Sequence, residues 1–341
     1  MFNNDISIDL GTATVQVYIK NKGIVLREPT VIAVNTTTDE VCGVGSEALL
    51  MLGRTPPDIK VVRPLIDGVI SSLTLTQEMI KHFLGTVLSG VSGMPRIMMC
   101  VPSGITDVEQ RAVIEAAREA GAKDIYIIEE PVAAALGAGF DISRARGTMI
   151  VDIGGGTTDI AVMSLGGIVV SRSLKIAGDE FNDAVVRYMK KEKGLIVGPR
   201  TAERIKQEIG TVVQRENDIT TKAKGIGIVS GLPEEVEVSG NAMCTIFDEF
   251  VFNICERVHE VFELTPPELH GDIIDDGIIM TGGGSLINGL NERISEAAGV
   301  KCIVADRAVD CVALGAGIAL RAIDRISDPT KMYHKKAYIR D

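Results

Sequence analysis

Asp152-Ile153-Gly154-Gly155-Gly156-Thr157-Thr158-Asp159 stands between two apolar runs, Met149–Val151 before it and Ile160–Met163 after it. Short apolar runs bounded by glycine read as buried strands. The segment is therefore a strand, a tight glycine turn and a second strand, with an aspartate near the end of the first. The same arrangement opens the chain. Ile6, Ile8 and Leu10 alternate with polar residues, Asp9 stands two before Gly11, and Val15, Val17 and Ile19 resume the period of two. One supersecondary unit written twice predicts two related lobes. A third turn, Gly282-Gly283-Gly284-Ser285, follows the strand-like Ile278–Met280 and precedes a helical stripe of Leu286, Leu290 and Ile294.

Strand and helix patterns alternate through the rest, which makes the fold class α/β. Ile97–Val101 reads as a buried strand ended by Pro102. Thr106 and Glu109 then form a capping-box pattern, Val113, Ala117 and Ala120 lie along one helix face, and Gly121 stops it. Within Ile128–Gly139, Glu129, Glu130 and Pro131 precede an alanine-rich helix. Two stretches of different character interrupt the halves. Asn35–Pro64 is polar and turn-rich, and Phe181–Gly240 carries helical patterns near Phe181–Met189 and Thr201–Ile209 and then a short strand-like stretch. Both read as smaller subdomains inserted into the lobes.

The bulk composition narrows the function. The 341 residues suit two domains or one large bilobed one. Aromatics are only 4% with no Trp, and the net charge is -11. Neither base stacking nor attraction to phosphate backbones is served by such a chain, so nucleic acid is not an expected partner. Six cysteines, at 42, 100, 244, 255, 302 and 311, form no C-x-x-C, which fits reduced thiols in a cytoplasmic protein. Cys255 and His259 are four apart on a helical pattern and could share a metal, but two ligands do not make a site. MFNNDISIDL lacks the basic-then-apolar pattern of a signal peptide, and no apolar stretch approaches the ~20 residues of a membrane span. A cytoplasmic protein is expected, with peripheral membrane contact open.

The chemistry sits at the turns. After a strand, a glycine turn lets backbone N–H groups converge on an anion, because no Cβ blocks the approach. Asp9 and Asp152 stand at strand ends, where hard oxygen ligands would suit Mg²⁺ or, alternatively, would cap the turn's own N–H groups. The chain has no G-x-x-x-x-G-K-[ST], no G-x-G-x-x-G after its first strand, no H-E-x-x-H and no G-x-S-x-G.

Asp9-Leu10-Gly11-Thr12, Asp152–Asp159 and Gly282–Ser285 are similar to the two phosphate loops and the adenosine loop of the actin, Hsp70 and sugar-kinase superfamily. Further runs resemble the MreB/Mbl family in particular. They are Arg63–Ile70, Val101–Thr106, Glu129-Glu130-Pro131, Ala177-Gly178-Asp179-Glu180, Arg200–Lys206 and Thr265–Leu269, in order over nearly the whole chain. The first loop departs from the family's Ala-Asn-Thr: here it runs Ala13-Thr14-Val15, so a side-chain phosphate contact at 14 would come from a threonine.

The resemblance implies an actin-like (ribonuclease H-like) duplicated two-lobed ATPase fold. Residues 1–145 with 312–341 would form one lobe, with an insert at about 33–65; residues 146–311 would form the other, with an insert at about 181–242. It implies ATP and Mg²⁺ as cofactors. Gly11, Thr12, Ala13 and Thr14 would hold the β-phosphate side, and Gly154, Gly155, Gly156 and Thr157 the γ-phosphate. Asp9 and Asp152 would fix Mg²⁺ through water. Glu130 would orient the attacking water with help from Thr157. Glu203, Arg204, Ile205 and Lys206, with Gly282, Gly283, Gly284 and Ser285, would reach the adenosine. Read without the resemblance, Glu203 and Lys206 are a solvated i,i+3 ion pair.

The function implied is a nucleotide-dependent cytoskeletal filament at the inner face of the cell membrane, organising cell-wall synthesis and so cell shape. Its partners would be further copies of itself and membrane-bound wall-elongation proteins. An Hsp70-like ATPase module, a small-molecule kinase and an FtsA-like division protein share the loops. The MreB-like runs argue against the kinase. An Hsp70 would continue into a peptide-binding domain where this sequence ends soon after Val312–Gly317, and the tail after Pro329 is too short and polar for the amphipathic helix of an FtsA-like protein. Two segments are candidates for membrane contact: the loop Leu88–Pro95 with Val91 and Met94, and the basic tail 331–341.

Overall fold

The computed structural model describes residues 5–89, 95–103, 105–322 and 335–336. The first half runs β1 (Asp5–Leu10), β2 (Thr14–Ile19), β3 (Gly23–Pro29), β4 (Ile32–Asn35), β5 (Val41–Val44), α1 (Ser46–Met51), β6 (Ile59–Val62), β7 (Leu65–Ile66), β8 (Val69–Ile70), α2 (Leu73–Leu88), β9 (Arg96–Val101), α3 (Asp107–Glu119), β10 (Asp124–Glu129) and α4 (Glu130–Gly137). The second runs β11 (Thr148–Ile153), β12 (Thr158–Ser164), β13 (Gly167–Leu174), α5 (Gly178–Lys191), β14 (Leu195–Ile196), α6 (Pro199–Ile209), β15 (Thr220–Gly227), β16 (Pro233–Ser239), α7 (Gly240–Leu264), α8 (Pro267–Asp276), β17 (Ile278–Thr281), α9 (Leu290–Ala298), β18 (Cys302–Val304), α10 (Cys311–Ala322) and β19 (Lys335–Lys336).

Two main sheets share one plan. In the first the order is β19-β10-β9-β1-β2-β3, and in the second β13-β12-β11-β17-β18. Each has an antiparallel meander, β1–β2–β3 or β11–β12–β13, whose first strand also pairs in parallel with a later strand, β9 or β17. That is the duplication read from the two Asp–Gly units. β11 is buried at every position and β1 nearly so. β11 is close to the apolar run expected of a strand covered on both faces, whereas β1 keeps its alternation and buries Asp5 and Ser7 with their polar groups paired.

Helices α4 and α10 lie between the two sheets. They share a core with Met98 and Cys100 of β9, Ile150 of β11 and Ile279 of β17. Their approach is set by small residues: α4 contributes Ala133, Ala134 and Ala135, all fully buried, and Gly137 of α4 and Gly315 of α10 meet the facing helix backbone. The connection therefore holds Glu130, the first residue of α4, at a fixed height between the lobes.

The inserts are small sheets of order β5-β4-β6 and β14-β15-β16. The second is not a separate core. Phe181 of α5 packs edge-to-face on Phe247 of α7 with ring centroids 4.9 Å apart, in one cluster with Ala223 of β15 and Met149 of β11. Local signals held where a cap decided them. Thr106 accepts from the N–H of Glu109, and the Glu109 carboxylate accepts from the N–H of Thr106, closing the box that starts α3. Val91 and Met94 lie outside the described residues, as does the tail apart from β19, which pairs antiparallel with β10. Among the described residues no helix is long and apolar enough to cross a membrane.

Candidate active site

The β1–β2 turn, the β11–β12 turn and the segment after β17 open onto one cavity of about 540 Å³ between the lobes. The first two turns touch. A Cβ on Gly155 would stand 2.5 Å from the Cβ of Ala13, and one on Gly156 would stand 2.8 Å from the side chain of Thr12. Only glycine allows this, so the two N–H-bearing turns face the cavity as a joined surface. Thr12 Oγ1 accepts from the N–H of Gly68, and Gly154 N–H donates to Thr157 O, which closes the second turn on itself. Gly282 has φ +79° and sits against the Ile153 carbonyl, a place no side chain could occupy. Thr14 lines the cavity at the start of β2.

Three carboxyl groups form the floor. Burial and the neighbouring Asp152 raise Asp9 to about 7. Burial raises Asp152 to about 7 as well, against the pull of the Thr281 hydroxyl, which donates to Asp152 Oδ1 at 2.6 Å. Glu130, 8% exposed, is pushed well above the carboxylate range by burial and then by Asp159, Asp9 and Asp152. Two desolvated carboxylates that repel each other are what a hard divalent cation would neutralise, and both are all-oxygen donors. No cluster of three or more His, Cys, Asp or Glu ligands occurs among the described residues. A cation here would thus keep water or substrate oxygens, as Mg²⁺ does. Cys255 and His259 do not converge: Cys255 Sγ faces Arg293 O and His259 Nε2 faces Glu263.

This floor carries a prediction. Because the folded protein holds protons on Asp9 and Asp152 up to about 7 rather than 3.8, their contribution to stability is full below 3.8 and is lost as pH rises through about 7. In thermal melts with chelator present, the nucleotide-free protein is expected to lose stability between about pH 4 and 7 and to level off above that. Asp9→Asn should flatten that slope, and so should Mg²⁺. An identical slope in wild type and Asp9→Asn would refute the assignment.

The adenosine-side expectations divide. Glu203 and Lys206 of α6 line the cavity, as do Gly282, Gly283 and Gly284. Lys206 Nζ donates to Gly178 O at 2.8 Å, and burial lowers its pKa, so the solvated ion pair with Glu203 is not formed. Arg204 turns away, bonding Glu208 and Lys222 O, while Ile205 is wholly buried in the second-lobe core. Consecutive residues of a helix point 100° apart, which is why a four-residue run cannot all reach one ligand. Ser285 is buried and donates its O–H to Gly282 O, shaping the turn. Asn182, Gln207, Arg215 and Asn288 also line the cavity, and no local pattern marked them in the sequence.

A duplicated sheet pair with two aspartate-bearing glycine turns across a cleft defines the actin-like class. Structures of that class match over the chain's length. The crystal structure of MreB5 of Spiroplasma citri bound to ADP superposes with a TM-score of 0.91 at 38% identity, covering 95% of this chain and 98% of that one. The MamK double helical filament gives 0.76 at 21% identity, a likeness of fold. The family model described as MreB/Mbl protein matches residues 3–328. The cell shape-determining protein Mbl of Bacillus subtilis is 46% identical over 327 residues, 96% of this chain and 98% of that protein. The cell shape-determining protein MreB of Escherichia coli K12 is 43% identical over 330 residues, 95% of each. The chain belongs to the MreB/Mbl family.

Proposed function

We propose that this protein binds and hydrolyses ATP in the interlobe cleft and assembles into cytoskeletal filaments that act at the inner face of the cell membrane, guiding cell-wall synthesis and cell shape. The observation that carries the reading is the convergence of both glycine turns, Asp9, Asp152 and the buried Glu130 on one cavity. The nucleotide in relatives supports it: MreB5 of Spiroplasma citri has been crystallised with ADP and with AMPPNP. Membrane and wall partners rest on family membership and on relatives described as cell shape-determining.

Phosphoryl transfer needs placement and charge neutralisation more than covalent help. The N–H groups of Gly11, Thr12, Ala13 and Thr14 would receive the β-phosphate side, and those of Gly154, Gly155, Gly156 and Thr157 the γ-phosphate. Asp9 and Asp152 would hold Mg²⁺, which supplies charge neutralisation on the phosphate oxygens. Glu130 and Thr157 would accept hydrogen bonds from the water that attacks phosphorus. Its oxygen bonds to phosphorus as the β–γ bridging bond breaks toward ADP, and a water proton moves toward Glu130. Glu130 must be ionised to take that proton, and a cation held by Asp9 and Asp152 would favour the ionised form by offsetting the neighbouring negative charge. Glu203, Lys206 and Gly282–Gly284 would line the adenosine.

Nucleotide joining two lobes sets their closure, and a closed subunit can repeat head-to-tail without forming a ring. With Mg²⁺-ATP at micromolar concentration, the protein is expected to scatter light and sediment, with phosphate released. Without nucleotide it should remain in the supernatant. If it stays monomeric with Mg²⁺-ATP, on anionic vesicles as well as in solution, the filament reading fails. Phosphate release without assembly would instead favour the Hsp70-like module.

A further inference from the structure

Asp159 lies behind the cavity wall and none of the roles above uses it. On β12 it is the direct ladder partner of Asp152 on β11, and such partners project from the same face of a sheet. It is 1% exposed, and both carboxylate oxygens are buried without a hydrogen-bond partner. The Thr157 and Ser173 hydroxyls from its own lobe and the N–H of Ser103 from the other are near enough to pull its pKa down against burial, yet none of them completes a hydrogen bond of normal geometry to it. Ser103 Oγ is likewise buried and unpartnered. Among the carboxylates around Glu130, Asp159 acts on it most strongly. An unpaired buried carboxylate costs stability, and a fold retains one where the site needs it.

We propose that Asp159 is a positioning residue for hydrolysis: it accepts the Thr157 O–H, so that Thr157 Oγ1 meets the attacking water only as an acceptor. The proposal rests on the ATPase reading above. A hydroxyl has one proton to donate. Once that proton is held by Asp159, one water hydrogen points to Thr157 Oγ1 and the other to Glu130. A lone pair of the water is then left facing phosphorus. With Thr157 free to rotate, its O–H could point at the water and turn that lone pair away. Catalytic hydrogen bonds are often long in a ligand-free site and tighten on substrate. Here closure of the lobes would also bring the Ser103 N–H onto the second oxygen of Asp159, tying the geometry to the closed state.

The test uses the full chain with saturating Mg²⁺-ATP, reading phosphate release, KM and melting temperature for Asp159→Asn, Thr157→Val and the double variant. For Asp159→Asn, kcat should fall roughly ten- to a hundredfold, the rate equivalent of one charged hydrogen bond. KM should stay within about threefold, since ground-state binding is untouched. Melting temperature should hold or rise, because an uncompensated buried charge has gone. Adding Asp159→Asn to Thr157→Val should cost no further rate, as the two act through one hydrogen bond. An unchanged kcat overturns the proposal, and so does additive loss in the double variant. A variant that melts lower or fails to fold also overturns it, by making Asp159 structural. If wild type hydrolyses no ATP, the ATPase reading falls and this falls with it; if wild type turns over and Asp159→Asn matches it, only this one falls.

Discussion

Glu130→Ala is expected to slow phosphate release from bound ATP by roughly 10²–10⁴-fold while leaving ATP binding in place. The two effects separate because different parts of the fold produce them. Binding belongs to the backbone of the glycine turns, which the substitution does not touch. Water orientation belongs to Glu130, and its position is tightly held. It opens α4 with Pro131 in the first turn, and the alanines that follow are fully buried between the sheets. Its carboxyl group sits 8% exposed among Asp9, Asp152 and Asp159. Glu130→Gln keeps the size and removes the proton acceptor, so it should be nearly as slow as Glu130→Ala. Neither variant should melt lower by much, since a carboxyl group buried among three others, with its ionisation opposed by all of them, adds little to the fold. Single-turnover phosphate release and binding of a slowly hydrolysed ATP analogue measure the two halves. A wild-type rate in Glu130→Ala would remove Glu130 from the mechanism.

The fold was legible because its deciding features are local. Two Asp–Gly turns between alternating or apolar runs predict two copies of one meander, and the β1–β2 and β11–β12 pairs are those copies. The turn residues lining the cavity were legible from their number: one glycine turn after a strand is usually only a tight turn, but three in one chain, two with an aspartate at the strand end, are hard to explain that way. What could not be read depends on direction. Nothing in Arg200–Lys206 says which side of a helix meets the cleft. The structure turns Glu203 and Lys206 inward and sends Ile205 to the core and Arg204 to the surface. Asn182, Gln207, Arg215 and Asn288 reach the cavity from α5, from α6 and from loops distant in sequence, so no spacing rule could collect them. Asp159 was quoted only as the end of a turn motif. Its burial, and the lack of any partner for its oxygens, is a property of packed neighbours and not of the motif.

Gly315→Ala is expected to destabilise the protein by about 1–3 kcal/mol, and more if the helices cannot part. The sign is what makes it informative. In an exposed helix interior, glycine to alanine stabilises by roughly 0.5–1 kcal/mol, because glycine loses more backbone freedom on folding. At Gly315 in α10 the new Cβ would fall against the Ala133 carbonyl of α4, 2.6 Å from its carbon and 2.7 Å from the N of Gly137. These are backbone atoms, which cannot swing aside as a flexible side chain would. In return, Gly137 presses on the Cys311 backbone, so the contact is closed from both sides. Relief requires α4 to move away from α10, and α4 carries Glu130 at its first turn. The same variant should therefore lose turnover as well as stability. Gly271→Ala in α8 is the matched control: a Cβ there meets nothing within 4 Å, so it should hold or raise the melting temperature by a few degrees at most, with turnover unchanged. Circular-dichroism melts and phosphate release on both variants decide the matter. If Gly315→Ala melts like Gly271→Ala, the two helices are not in backbone contact, and the fixed height of Glu130 between the lobes needs another explanation.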